Sequence, residues 1–190
     1  NFGMATLGAR GTFSRMDELG LRFRPSSGTF GMGVSGLQLE ENAVKGLAAE
    51  IIAKQRARAL GETVIESQFL QGAANRGIDF LSFTGTGAEA RLFINEVKFY
   101  ESAVRTRKFT AFGLGGGKYR IWRENLRRAQ EAIRGEGLDV LTTETLLSQI
   151  QLKQARIRLI GGPNTVFRQR SLEKIGKATG LIVGEGFRIP

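Results

Sequence analysis

The sequence contains no cysteine and no histidine. Without cysteine there is no disulfide, no thiolate nucleophile and no Cys-ligated zinc or iron–sulfur site. Without histidine there is no Ser-His-Asp triad, no His-ligated metal and no nuclease that takes histidine as its base. Any catalysis must rest on carboxylates, lysine, arginine and hydroxyls, and the compatible cofactor is a hard cation held by oxygen. No run of about 18 apolar residues occurs, so no membrane span is expected. No charged stretch followed by an apolar one opens the chain, so no secretory signal is read. The chain starts at Asn1 rather than Met, which reads as an excised piece of something longer.

The 190 residues are 41% hydrophobic and 24% charged, ordinary values for a single globular domain. Lys and Arg number 28 against 18 Asp and Glu, a formal charge of +10, and a polyanionic partner is the natural expectation. The surplus is local. Residues 1–97 are balanced, whereas 98–134 carry ten basic and three acidic side chains. The ten are Lys98, Arg105, Arg107, Lys108, Lys118, Arg120, Arg123, Arg127, Arg128 and Arg134. Phe99, Tyr100, Phe109, Phe112, Tyr119 and Trp122 interleave with them. Cations spaced among aromatic faces suit a surface that tracks a nucleic-acid backbone. The expected nucleic-acid-binding set is Arg105, Arg107, Lys108, Lys118, Arg120, Arg123, Arg127 and Arg128.

Residues 1–36 are rich in Gly, Ser, Thr and Phe and read as an irregular arm, with short strands near Thr12 and 21–24. Ser35 and Gln38 have the spacing of a capping box, predicting a helix over 37–60. Its apolar stripe is expected at Leu37, Val44, Leu47, Ala48, Ile51 and Ile52. Strands are expected over 63–69, 77–84 and 91–100, the last two joined by a hairpin turn at Gly85-Thr-Gly. Trp122, Leu126, Ala129 and Ile133 define an amphipathic helix over 119–134 with a basic outer face. A helix near 143–153, a strand near 156–160, a helix near 171–178 and a strand near 181–189 complete the chain. The order is that of an α/β layered domain.

The chemistry concentrates on four residues. Glu96 and Lys98 are two apart on a strand, so they share the face of Leu92 and Ile94, where unpaired charges are costly. Asp79, one of only three aspartates, interrupts the apolar run 78–83. Glu50 lies mid-helix beside the buried stripe. Paired strands can set Asp79 beside Glu96, and a helix over the sheet end can bring Glu50 near. Three such carboxylates repel unless a divalent cation compensates, and oxygen-only ligands select Mg²⁺ or Mn²⁺. A neighbouring lysine can orient a water or stabilise charge on a phosphate.

The runs Gly46-Leu-Ala-Ala-Glu50, Leu60-Gly61, Gly77-Ile-Asp79-Phe-Leu and Phe93-Ile-Asn-Glu96-Val-Lys98 resemble the PD-(D/E)XK nuclease superfamily over about residues 40–100. Ile78 stands where the motif's proline would be. The resemblance implies a restriction endonuclease-like αβββαβ core, a mixed central sheet flanked by helices, over 37–190. It implies that Asp79 and Glu96 bind the metal with the Val97 carbonyl as a further ligand, that Lys98 is the catalytic lysine, and that Glu50 completes the site. Two other glycine patterns fail. Gly31-Met-Gly33-Val-Ser-Gly36 has no strand leading into it, and Gly113-Leu-Gly-Gly-Gly-Lys118 lacks the first Gly and the final Ser or Thr of a phosphate loop.

The function expected is therefore a Mg²⁺- or Mn²⁺-dependent endonuclease, a DNA-binding phosphodiester hydrolase. The basic unit with its Gly/Ser/Phe-rich arm resembles the toxin domain of a contact-dependent or secreted bacterial effector. Such a domain would be delivered within a larger secreted protein, act in the target cytoplasm, and pair with a cognate, often acidic, immunity protein. A repair, recombination or restriction role is the other setting. The alternatives are a tRNA-type ribonuclease on the same scaffold, separated by its substrate, and a non-catalytic nucleic-acid-binding module, which would bind in a salt-sensitive way and cleave nothing.

Overall fold

The computed structural model describes residues 34–66, 77–100, 103–114 and 119–190, with side chains from residue 44 onward and without that of Tyr119. The chain divides into two units, residues 1–37 and 38–190, and the sheet and its helices belong to the second. The expected arm up to residue 33, the strand end at 67–69, Lys118 and the glycines before it lie outside the described residues. The first helix, α1 (Val34–Ala59), already includes Val34, so Ser35 lies within it rather than capping it. Among the described residues no helix is long and apolar enough to cross a membrane.

Five strands form one mixed sheet: β1 (Thr63–Ile65), β2 (Phe80–Thr84), β3 (Arg91–Lys98), β4 (Arg156–Gly161) and β5 (Ile182–Arg188), in that spatial order. β1–β2 and β2–β3 pair antiparallel, whereas β3–β4 and β4–β5 pair parallel. The helices α2 (Tyr119–Gly135), α3 (Val140–Gln151) and α4 (Gln169–Thr179) make the crossovers that parallel pairing requires. The α/β architecture agrees with the sequence reading, with two helices between β3 and β4.

Local chemistry explains these elements. β2 reads FLSFT and is covered on both faces, so it shows a nearly continuous apolar run instead of alternation. Gly85 opens the turn into β3 at φ +72, and a Cβ there would stand 2.7 Å from the Glu89 carbonyl oxygen. Asp139 caps α3 by accepting from the Thr142 N–H at 2.9 Å. α3 then holds β3 in place through Gln149. Its Oε1 accepts from Leu92 N–H at 2.9 Å and its Nε2 donates to the Ala90 carbonyl at 2.6 Å.

Two apolar cores lie on either side of the sheet. The larger joins Leu81, Leu92, Ile94, Ile157 and Leu159 to Trp122, Ile133, Leu146 and Ile175 of the later helices. The smaller joins Phe80, Val97 and Ile160 to α1. The face of α1 that packs there is Ala49, Ala53 and Ala57, not the stripe of larger residues expected from the sequence. Val44 and Ile52 are exposed and Ala48 faces solvent, because small alanines at i, i+4 and i+8 let the helix approach the sheet closely.

A polar network crosses the strands on the α1 side. Arg158 grips Glu62 with two bonds of 2.7 and 2.6 Å, and donates to Asn95 at 2.9 Å and Ser82 at 3.0 Å. Ser82 donates to Glu62 at 2.7 Å, Asn95 to Ser82 at 2.9 Å, and the guanidinium lies 3.9 Å from the centre of the Phe93 ring. Both partners in the Arg158–Glu62 pair are largely removed from water, so losing one strands the other. Arg158→Met is expected to cost about 3–5 kcal/mol in urea unfolding, and Arg158→Met with Glu62→Leu to recover most of it. Equal midpoints for wild type and the single variant would show that the pair is not a structural tie.

Candidate metal and catalytic centre at the ends of β2 and β3

Asp79 immediately precedes β2, and the pairing of Phe80 with Asn95 sets it opposite Glu96. Its Oδ2 accepts from the Val97 N–H at 2.5 Å, which locks the carboxylate against β3. Alternation along β3 places Glu96 and Lys98 on one face, and both side chains are mostly buried. The Lys98 ammonium lies 2.5 Å from Glu96 Oε1, 3.2 Å from the Val97 carbonyl oxygen and 4.0 Å from Asp79 Oδ2. Glu50 stands on α1 at the edge of the alanine stripe and pairs with Lys54 at 2.8 Å. It is close enough to Asp79 and Lys98 for their charges to act on it.

Burial and charge set the protonation of this group. Glu96 is raised from 4.5 to about 8, first by loss of water and then by the Asp79 charge, against the opposing pull of Lys98. Glu50 is also raised, first by burial and then by Asp79, with Lys54 and Lys98 opposing. Burial works against the Lys98 ammonium, but Glu96 and Asp79 outweigh it and hold the lysine charged. Glu96 Oε2 is buried and has no hydrogen-bond partner.

The structure thus brings together Glu50, Asp79, Glu96, the Val97 carbonyl and Lys98. Among the described residues no group of three or more acidic side chains stands as a formed metal cage. The Lys98 ammonium is itself a cation among the oxygens of Glu96, Val97 and Asp79. The residues nonetheless fit a hard divalent cation. All the donors are oxygens, and one buried carboxylate oxygen, Glu96 Oε2, is left without a hydrogen-bond partner.

The expected nucleic-acid surface is divided. Arg105, Arg107 and Lys108 lie on the short turns that follow β3 and are exposed, with Lys108 Nζ 5.9 Å from the Tyr100 ring centre. Arg120 and Arg123 are exposed on α2. Arg127 binds Glu124 at 2.9 Å and also Glu131, and Arg128 binds Glu124 at 3.2 Å, so these two are partly neutralised by their own helix. The aromatic interleaving does not form a stacking platform as expected. Phe109, Phe112 and Trp122 are core residues, because the same helical and turn spacing that separates the cations points the rings inward. Phe99 and Tyr100 keep substantial exposure. Sequence reasoning missed Arg168, Arg170 and Lys174, which line a cavity with Arg105. Their closeness in the chain, three cations within 168–174, was the available signal.

The chain matches no protein-family model, no curated protein and no solved structure.

The Glu96 environment has a consequence for stability. The unfolded carboxyl releases its proton near 4.5 and the folded one near 8, so the folded state binds the extra proton across that window. Stability therefore falls as pH rises through it. In EDTA, the thermal midpoint is expected to drop between pH 5 and 8, and Glu96→Gln to remove most of that drop. A variant that keeps the wild-type slope would show that Glu96 is not the group responsible.

Proposed function

We propose that the chain is a metal-dependent nuclease that hydrolyses phosphodiester bonds in DNA. The observation that carries this reading is the Lys98 ammonium lying among Glu96 Oε1, the Val97 carbonyl and Asp79 Oδ2, a cradle of oxygens already arranged around positive charge. A basic surface follows directly in the chain, where residues 98–134 hold ten cations and three acids.

Asp79 and Glu96, with the Val97 carbonyl and Glu50, are the groups that would hold Mg²⁺ or Mn²⁺. When bound, such an ion supplies a Lewis acid that lowers the pKa of water and offsets charge on the phosphate. Asp79 is held in position by the Val97 N–H, so its carboxylate is preorganised before any ligand arrives. Lys98, once released from Glu96, carries a charged ammonium on the same strand and can donate to a non-bridging phosphate oxygen or orient the attacking water. Glu50 reaches the cluster from α1 and adds a carboxylate whose proton affinity is raised by burial and by the Asp79 charge. The exposed Arg105, Arg107, Lys108, Arg120 and Arg123 supply phosphate contacts without base readout. The +10 charge suits an acidic inhibitor protein as well as a polyanionic substrate.

The test incubates the protein with supercoiled plasmid, and separately with total tRNA, in Mg²⁺, Mn²⁺ or EDTA. Plasmid nicking is expected with either cation and none in EDTA. Asp79→Asn and Lys98→Met are each expected to lose at least about 100-fold in rate while retaining the wild-type circular dichroism spectrum and DNA binding. Cleavage of tRNA alone would move the substrate to RNA. Undiminished cleavage by either variant would remove the cluster from the mechanism.

A further inference from the structure

Three arginines and a lysine face a single cavity beside the catalytic end of the sheet. It measures about 710 Å³ and is lined by Arg105, Thr106, Arg168, Arg170, Ser171 and Lys174, with no acidic side chain in its wall among the described residues. Arg105, Arg168, Arg170 and Lys174 are exposed, and none has an ion pair or side-chain hydrogen bond among the described residues. Glu173, the acid next to Lys174, instead accepts from Gln169 at 3.3 Å.

This arrangement is unfavourable by itself. Four like charges surround one volume and repel. Arg168 sits at the N-cap of α4 without capping it and Arg170 lies in the first turn, where no acid is present. Cations there oppose the helix dipole, which favours negative charge at that end. An anion in the cavity reverses both terms. The Thr106 and Ser171 hydroxyls hydrogen-bond to each other at 3.1 Å, which leaves one of the two O–H groups to donate in the wall.

Position bears on which anion the cavity meets. About 710 Å³ has room for a nucleotide unit. The wall is joined to the catalytic strand. β3 ends at Lys98, Tyr100 N–H donates to Thr165 Oγ1 at 3.0 Å, and Val104 N–H donates to the Val166 carbonyl at 3.0 Å. Six residues from Lys98 to Val104 span at most about 21 Å. A nucleic-acid strand rises about 3.4 Å per nucleotide, so that span corresponds to roughly six nucleotides.

We propose that this cavity is a second phosphate site, which holds a backbone phosphate of the polynucleotide strand within about six nucleotides of the bond cut beside Lys98. The strand as ligand rests on the nuclease reading, whereas the anion chemistry does not.

The test measures binding in EDTA, where cleavage plays no part. Fluorescence anisotropy of a labelled 12-nucleotide DNA strand is followed over a salt series for wild type, for Arg168→Gln/Arg170→Gln/Lys174→Gln, and for a charge-matched control, Arg56→Gln/Arg91→Gln/Arg156→Gln. All six side chains are exposed, and circular dichroism confirms folding. The cavity variant is expected to bind about tenfold more weakly, and its slope of log affinity against log salt to become shallower by about one for each phosphate it no longer neutralises. The control is expected to change by less than about twofold. Equal weakening in the two variants, or none in the cavity variant, overturns the site. Calorimetry with inorganic phosphate separates a free anion from a strand: phosphate binding abolished in the cavity variant with unchanged DNA affinity overturns the strand assignment. If the cavity variant alone loses DNA affinity while wild type cuts no nucleic acid with any cation, the phosphate site stands and the nuclease reading falls.

Discussion

The pairing of Glu96 with Lys98 constrains everything around it. Each buried charge costs several kcal/mol in lost hydration, and their attraction repays this only when the geometry is good and the remaining atoms find partners. Lys98 meets that condition through Glu96, the Val97 carbonyl and the nearby Asp79. Glu96 does not, since one carboxylate oxygen has no partner. Such an imbalance on the central strand is hard to explain as a stabilising device, because an apolar pair of similar volume would cost less. On the proposed reading, it is a site left in need of a cation.

The fold serves to keep that site from relaxing. β3 is paired with β2 over residues 91–95 and with β4 over 93–98, Gln149 clamps its start, and Arg158 ties four segments of the sheet into one polar network. The alanine face of α1 draws the helix close enough for Glu50 to take part in the electrostatics of the cluster. Beyond the same strand end, Tyr100 and Val104 are tied by hydrogen bonds to Thr165 and Val166, next to the basic cavity.

Much of this was legible in the sequence where periodicity was strong. The two-residue spacing of Glu96 and Lys98 dictates a shared face, and the hairpin turn at Gly85 dictates that Asp79 returns beside them. Trp122, Ala129 and Ile133 announced the buried side of α2. Reading failed where size or distance hid the signal. Ala49, Ala53 and Ala57 carry little hydrophobic weight, so larger neighbours drew the stripe to the wrong side of α1. Phe109 and Phe112 looked like partners of the cations because sequence proximity does not say which way a ring points. Arg158 and Glu62 are 96 residues apart, and residue 105 comes beside 168–174 through the parallel bridge between Ala103 and Val166 and the contact of Thr106 with Ser171. No local pattern could have joined them.

The most direct measurement is calorimetric titration of Mn²⁺ into the wild-type protein and into Asp79→Asn, without nucleic acid. The account predicts saturable binding that wild type shows and the variant loses, tightening as pH rises, because ligating carboxylates must give up their protons. Indistinguishable titrations of the two proteins would contradict it, and would leave the buried Glu96–Lys98 pair as a structural feature alone.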